Sequence, residues 1–259
     1  MDDATKKHDN SVPFTTCVTK LFLDCFSQEE LDQIRAEFMA VFAGVSYLVI
    51  NLKGTLERHK AAAAVLAEAG WTLPDWISMS EVQSLSCKSQ DEIDAYLTEG
   101  YMENAAKNLD DLHERLLKCD PLSAWFSLID EIFASIKAKR HLVTIPATLT
   151  IIDGFVANVV VSLSLANKQV TNPVKCILKA GLDDNIEEFE ALKWIRASIF
   201  LEKLFATSDF NKQCPDFINR HWILHGRSLT DWKLADAIRL VNALSAITFL
   251  SEPKYEKDV

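Results

Sequence analysis

The sequence predicts an all-α protein, a helical bundle, and three observations carry that expectation. Apolar residues recur at i, i+3 and i+4 through most of the chain, the spacing that gives a helix one buried face. Helix start and stop signals punctuate those runs. Only 7 Gly and 7 Pro occur in 259 residues, beside abundant Leu, Ala, Ile, Glu and Lys, a composition that favours helix over sheet.

The elements follow in order. Ser27 with Glu30 reads as a capping box that opens an amphipathic run through Ile34, Phe38 and Phe42 toward Leu52. A second run, rich in Ala61 to Ala64, stops at Gly70, and Trp71, Pro74 and Trp76 follow in a loop. Ser89 with Glu92 starts a helix whose apolar face continues through Leu109, Leu112 and Leu116. Asp120-Pro121 pairs an N-cap with proline at the first helical position, leading into Trp125, Leu128, Ile129, Ile132, Phe133 and Ile136. The apolar run Leu142 to Ala166 is long enough to span a membrane. It contains Pro146, Asp153 and many Thr, Ser and Asn, so a buried core helix, broken once, is the expected form. Val156 to Leu163 is the one ambiguous strand pattern. Asn172-Pro173 starts a short helix, and another runs from about Asp183 to Ala206 with Phe189, Leu192, Ile199 and Leu204 on its apolar side. Cys214-Pro215-Asp216 begins a helix that Gly226 ends. Thr230 or Asp231 caps a last helix through Leu234, Ile238, Val241 and Leu244. The expected division falls near Cys119-Asp120, separating a helical N-terminal region (1–119) from a C-terminal half (120–259).

Net charge is −10, which argues against binding polyanions through the whole surface but not against a local basic groove. Residues 211–239 hold Lys212, Arg220, Arg227, Lys233 and Arg239 against Asp216, Asp231 and Asp236, a basic surplus in an acidic chain. The 6 Cys are scattered with no Cys-x-x-Cys pair, as expected of reduced thiols in a cytoplasmic protein. The polar N-terminus lacks the apolar core of a signal peptide, and no membrane association is expected.

The chemistry-bearing stretch is Asn219-Arg220-His221-Trp222-Ile223-Leu224-His225-Gly226. Arginine is a fixed cation that holds a phosphate with two parallel hydrogen bonds. Histidine moves protons near neutral pH. By spacing alone, Arg220 equally suits an (i, i+4) ion pair with Asp216. His221 and His225, four apart, share a helix face and have the spacing of two zinc ligands, but no third ligand is evident. Asp153 in the apolar run either holds Arg220 or a histidine, or accepts from a buried amide. Asn219 and His221 either orient phosphate and tune a base, or satisfy packing and N–H groups. His59, His113 and His141 lack a constellation and read as surface or structural. Trp71 and Trp76 read as a core plug rather than a base-stacking platform.

The block Phe217 to Ser228 resembles the signature of HEPN-domain proteins, in which an Arg followed by a polar residue precedes a His by four to six positions. Here the polar follower is His221, and Ser228 to Leu250 is similar to the family's last helix. Arg140-His141-Leu142-Val143-Thr144-Ile145-Pro146, leading to Ile152-Asp153-Gly154, resembles a bacterial subset, as does Leu66-Ala67-Glu68-Ala69-Gly70-Trp71 more loosely. The resemblance covers about 121–250. It implies a HEPN-like C-terminal half and a metal-independent endoribonuclease in a bacterial antiviral defence or toxin setting. It also implies a homodimer and restraint or release by an inhibitor or trigger protein. In that chemistry an RNA 2′-hydroxyl attacks its own adjacent phosphorus, leaving a 2′,3′-cyclic phosphate and a 5′-hydroxyl. His225 is the general acid or base, Arg220 stabilises the phosphoryl oxygens, and no cofactor or metal is needed. Five positions on a helix turn through about 140°, so Arg220 and His225 do not readily share a face, which favours a site completed across a two-fold. The rival readings are an inactive helical module binding RNA or protein, and a metal-dependent hydrolase using His221 and His225.

Overall fold

The computed structural model describes residues 57–162, 188–207 and 209–251, together with Glu29, Gln33, Ala36 and Met39, which are helical. Of the helix expected from Ser27, those four residues alone are described; its cap, the Asn172-Pro173 start and residues 163–187 lie outside the described residues. Among the described residues every regular element is a helix and there is no strand, so the chain is an all-α bundle.

The first fully described helix, α1, covers residues 57–68. It ends where Gly70 takes φ +86 and the Trp71 N–H reaches back to the Leu66 carbonyl at 2.8 Å, the geometry of a glycine helix stop. A short helix that periodicity had not marked, α2 (Met79–Leu85), is opened by Ser78 with Glu81. Ser89 and Glu92 form the expected box at the start of α3 (Gln90–Leu117). That helix is interrupted, because Asn104, Ala105 and Ala106 have positive φ, and the Asn108 side-chain amide donates to the Gly100 carbonyl at 2.7 Å across the interruption. Asp120-Pro121 opens a 3-10 turn, Asp120–Trp125, instead of the helix itself. Helix α4 (Phe126–Lys137) then buries Ile129, Ile132, Phe133 and Ile136, while Leu128 remains exposed.

Over the described part of the apolar run, helix α5 (Thr144–Ser162) is continuous, with no break. Pro146 lies in its first turn, where its missing N–H is no loss. Ile145, Leu149, Ile151, Ile152, Phe155 and Val156 are buried, each contributing about 1.5–3 kcal/mol from apolar burial. Helix α6 (Glu188–Leu204) buries Ala197, Phe200, Leu201 and Leu204. A five-residue helix, α7 (Arg220–Leu224), carries the motif.

The last helix, α8 (Leu234–Ile247), is the axis of the bundle, packing on both α3 and α5. Ala235, Ala237, Ile238, Leu240, Val241, Ala243, Leu244 and Ile247 are all buried, so it is apolar nearly all round. Its start lies later than Thr230 or Asp231, because the Asp236 carboxylate accepts from the Lys233 N–H at 2.8 Å. Two windows, His141–Ser162 and Leu234–Ser251, are long and apolar enough to cross a membrane, but 56% and 61% of them is buried within the bundle.

The compact unit spans Glu57–Val259, and Met1–Leu56 is a separate unit. The boundary expected at 119/120 therefore falls inside a packed body. Its physical reason is a buried chain of polar contacts: the Tyr101 hydroxyl of α3 donates to Asn242 of α8 at 2.6 Å, and the Asn242 amide donates to the Thr72 carbonyl at 2.6 Å.

Candidate active site

The motif helix starts at Arg220, five residues later than Cys214-Pro215 suggests. Asn219 sets that start. Its backbone is extended (φ −115, ψ 123), and its side-chain oxygen accepts from the N–H groups of His221 at 3.0 Å and Trp222 at 3.2 Å. Its amide donates to the Ala206 carbonyl at 3.1 Å, and the residue is buried. Asn219 therefore holds the helix end and tethers it to the segment after α6. At the other end, Gly226 adopts φ +65, and the Arg227 N–H donates to the Trp222 carbonyl at 2.7 Å. His225 stands exposed just before this stop.

Arg220 pairs with Asp153 and not with Asp216. Its Nη2 donates to Oδ2 of Asp153 on α5 at 2.7 Å, and its guanidinium lies over the Phe205 ring at 5.4 Å. Next to Asp153, Gly154 lets α5 approach Trp125 closely: a Cβ at 154 would sit 2.7 Å from the indole. A carboxylate and an aromatic face thus aim the guanidinium, while its Nε is buried without a partner. An unpaired buried donor costs about 1–3 kcal/mol, which is a local cost retained at the point where the side chain is held.

The rings of His221 and His225 stack, 5.6 Å apart with 15° between planes. Burial lowers the His221 pKa from its ordinary value, assisted by the neighbouring Arg220 and His225 and opposed by Asp153. Parallel imidazoles do not converge on one ion, and among the described residues there is no group of three His, Cys, Asp or Glu placed to hold a metal. Among the described residues, no hydrogen bond or ring contact joins Arg220 to His225 within the chain. His225 instead meets Phe210 edge-on at 5.9 Å.

The basic surplus of residues 211–239 is mostly spent on carboxylates. Arg239 is only 6% exposed, bonded to Asp94 at 2.5 Å and Asp236 at 2.6 Å and lying over Trp71. Lys233 pairs with Asp91, and Lys212 with Asp209. Arg227 lies over the Phe210 ring at 5.4 Å. A cleft of about 780 Å³ is lined by Asn219, Trp222 and Ile223 together with Asp91, Asp216 and Asp231. Arg220, His221 and His225 do not line it, and its acidic wall suits no phosphate. The motif presents its charged side chains elsewhere.

His141 accepts from or donates to nothing in the motif; its Nε2 lies 3.0 Å from the Trp232 carbonyl. His113 pairs with Asp130 and stacks on Phe133. Trp71 is fully buried, its Nε1 donating to Asp94 at 2.7 Å, as a core plug. Phe205 and Phe210 have no spacing in the sequence to mark them. Nor has Asp94, although the (i, i+3) pair Asp236 and Arg239 is a legible signal for part of its network.

Comparison with family models, with curated proteins and with solved structures gives no match for this chain.

Proposed function

We propose that the protein is a metal-independent endoribonuclease of the HEPN type, acting in the cytoplasm of a bacterial defence or toxin system. The observation that carries this reading is a guanidinium aimed by Asp153 at one end of a five-residue helix, with an exposed histidine at the other. His225 would take the proton of the attacking 2′-hydroxyl or return one to the leaving 5′-oxygen, an effect worth about 10²–10⁴-fold. Arg220 would stabilise the charge on the phosphoryl oxygens; Asp153 takes one of its five donors and Nε is buried, which leaves the other donors of the terminal nitrogens. His221, its pKa lowered, supplies a neutral ring against His225 rather than a second cation. The pair meets across a two-fold, so that Arg220 of one copy faces His225 of the other, in a homodimer restrained or released by a partner protein.

A second reading is favoured by the ion pair itself. Asp153 neutralises much of the Arg220 charge, as suits an inactive helical module that binds RNA or a protein. A hydrolase using a metal on His221 and His225 is the third and weakest. Single-stranded RNA incubated with the full chain in excess chelator separates them: cutting supports the proposal, and intact RNA with retained binding supports the module. Cutting that appears only when a divalent metal is restored supports the third.

A further inference from the structure

Phe210 is large, apolar and 39% exposed, yet it is not loose. Trp222 meets it at 5.2 Å with 82° between planes, and His225 at 5.9 Å with 72°. Two rings at near right angles fix the plane of a third. Trp222 is itself buried and lies on α7, so the orientation of Phe210 is tied to the motif helix. The guanidinium of Arg227, an exposed residue just beyond Gly226, covers the ring at 5.4 Å. The result is an oriented aromatic face beside the exposed histidine, with the Arg227 guanidinium over it.

Such a face has a chemistry. Flat, electron-rich heterocycles stack on aromatic side chains and on guanidinium planes, and proteins that hold single strands pair these platforms with backbone-binding cations. We propose that Phe210 is a nucleobase-stacking subsite, taking the base next to the phosphate that His225 and Arg220 address, with Arg227 shifting from the ring to the neighbouring phosphate. This rests on the ribonuclease reading of the motif and adds to it a binding determinant for unpaired bases. A base within a duplex has no free face to offer, so the subsite selects single strands.

Oligodeoxythymidylate, which lacks the attacking hydroxyl and cannot be cut, is compared with the same backbone carrying no bases, by titration against the full chain. Wild type should bind the base-bearing strand at least about fivefold more tightly, the low end expected for one stacked base. Phe210→Leu should abolish that preference, and Phe210→Tyr, which keeps the ring, should retain it. Equal binding of both strands by wild type overturns the subsite while leaving a backbone-binding ribonuclease intact. A preference that survives in Phe210→Leu overturns it too. No binding of either strand overturns the subsite, and cleavage of single-stranded RNA in chelator then decides the reading beneath it.

Discussion

At the scale of single residues, the motif divides its labour by exposure. Asn219 is buried and spent on helix N–H groups, Arg220 is half-buried on Asp153, and His225 is exposed. His225→Ala should therefore abolish RNA cleavage while changing stability by no more than about 1–2 kcal/mol, since an exposed histidine contributes little packing. Thermal melts beside a cleavage assay check this, and a cutting mutant would remove the catalytic role. Arg220→Lys should be severely impaired, because lysine keeps the charge but not the planar fork that serves a carboxylate and a phosphate together. Turnover near wild type would make Arg220 a structural ion-pair residue. His221 supplies a pH prediction. Its folded pKa is lowered, so between that value and the ordinary one near 6.5 the unfolded chain binds more protons. Stability then rises with pH across this interval and is lost on acidification through it. Melting temperatures measured on either side of the interval should differ less in His221→Gln than in wild type; an unchanged difference would show that His221 does not titrate this way.

At the scale of elements, the bundle is held by helices whose ends are chemically marked and by polar networks that are marked only in part. Arg239, Asp94, Asp236, Trp71 and Gln90 join α8 to α3 and to the loop after α1. Replacing Arg239 by Ala leaves the half-buried Asp94 without its cation, and breaking a buried pair in this way costs about 3–5 kcal/mol. Chemical denaturation of Arg239→Ala should show a loss of that size, whereas a loss below about 1 kcal/mol would place the pair among weak surface contacts. These elements also show what the sequence discloses. Ser89 with Glu92 and the stops at Gly70 and Gly226 were legible because capping is a contact among residues three to six apart. The 3-10 turn at Asp120–Trp125 and the late starts of α7 and α8 were not, because several residues compete to cap and tertiary contacts decide. Arg220 with Asp153 lies 67 positions apart, and no local spacing could choose Asp153 over Asp216. The expected division at 119/120 failed for the same reason: Tyr101 and Asn242 meet across 141 positions.

At the scale of the whole molecule, one chain presents Arg220 and His225 with no hydrogen bond or ring contact between them, and in the proposed dimer a second copy would bring the complementary halves together. Mixing Arg220→Ala chains with His225→Ala chains should then restore part of the activity, because a heterodimer contains one site with both groups intact. No recovery from a demonstrated heterodimer would mean that each chain supplies its own pair. Beneath every such experiment lies the reaction itself, which is best read from the ends it leaves. RNA recovered from cells expressing the protein should carry new 2′,3′-cyclic phosphate and 5′-hydroxyl ends, and these should be missing from cells expressing His225→Ala. New ends bearing 5′-phosphate and 3′-hydroxyl, or the same ends in equal number with His225→Ala, would contradict the account.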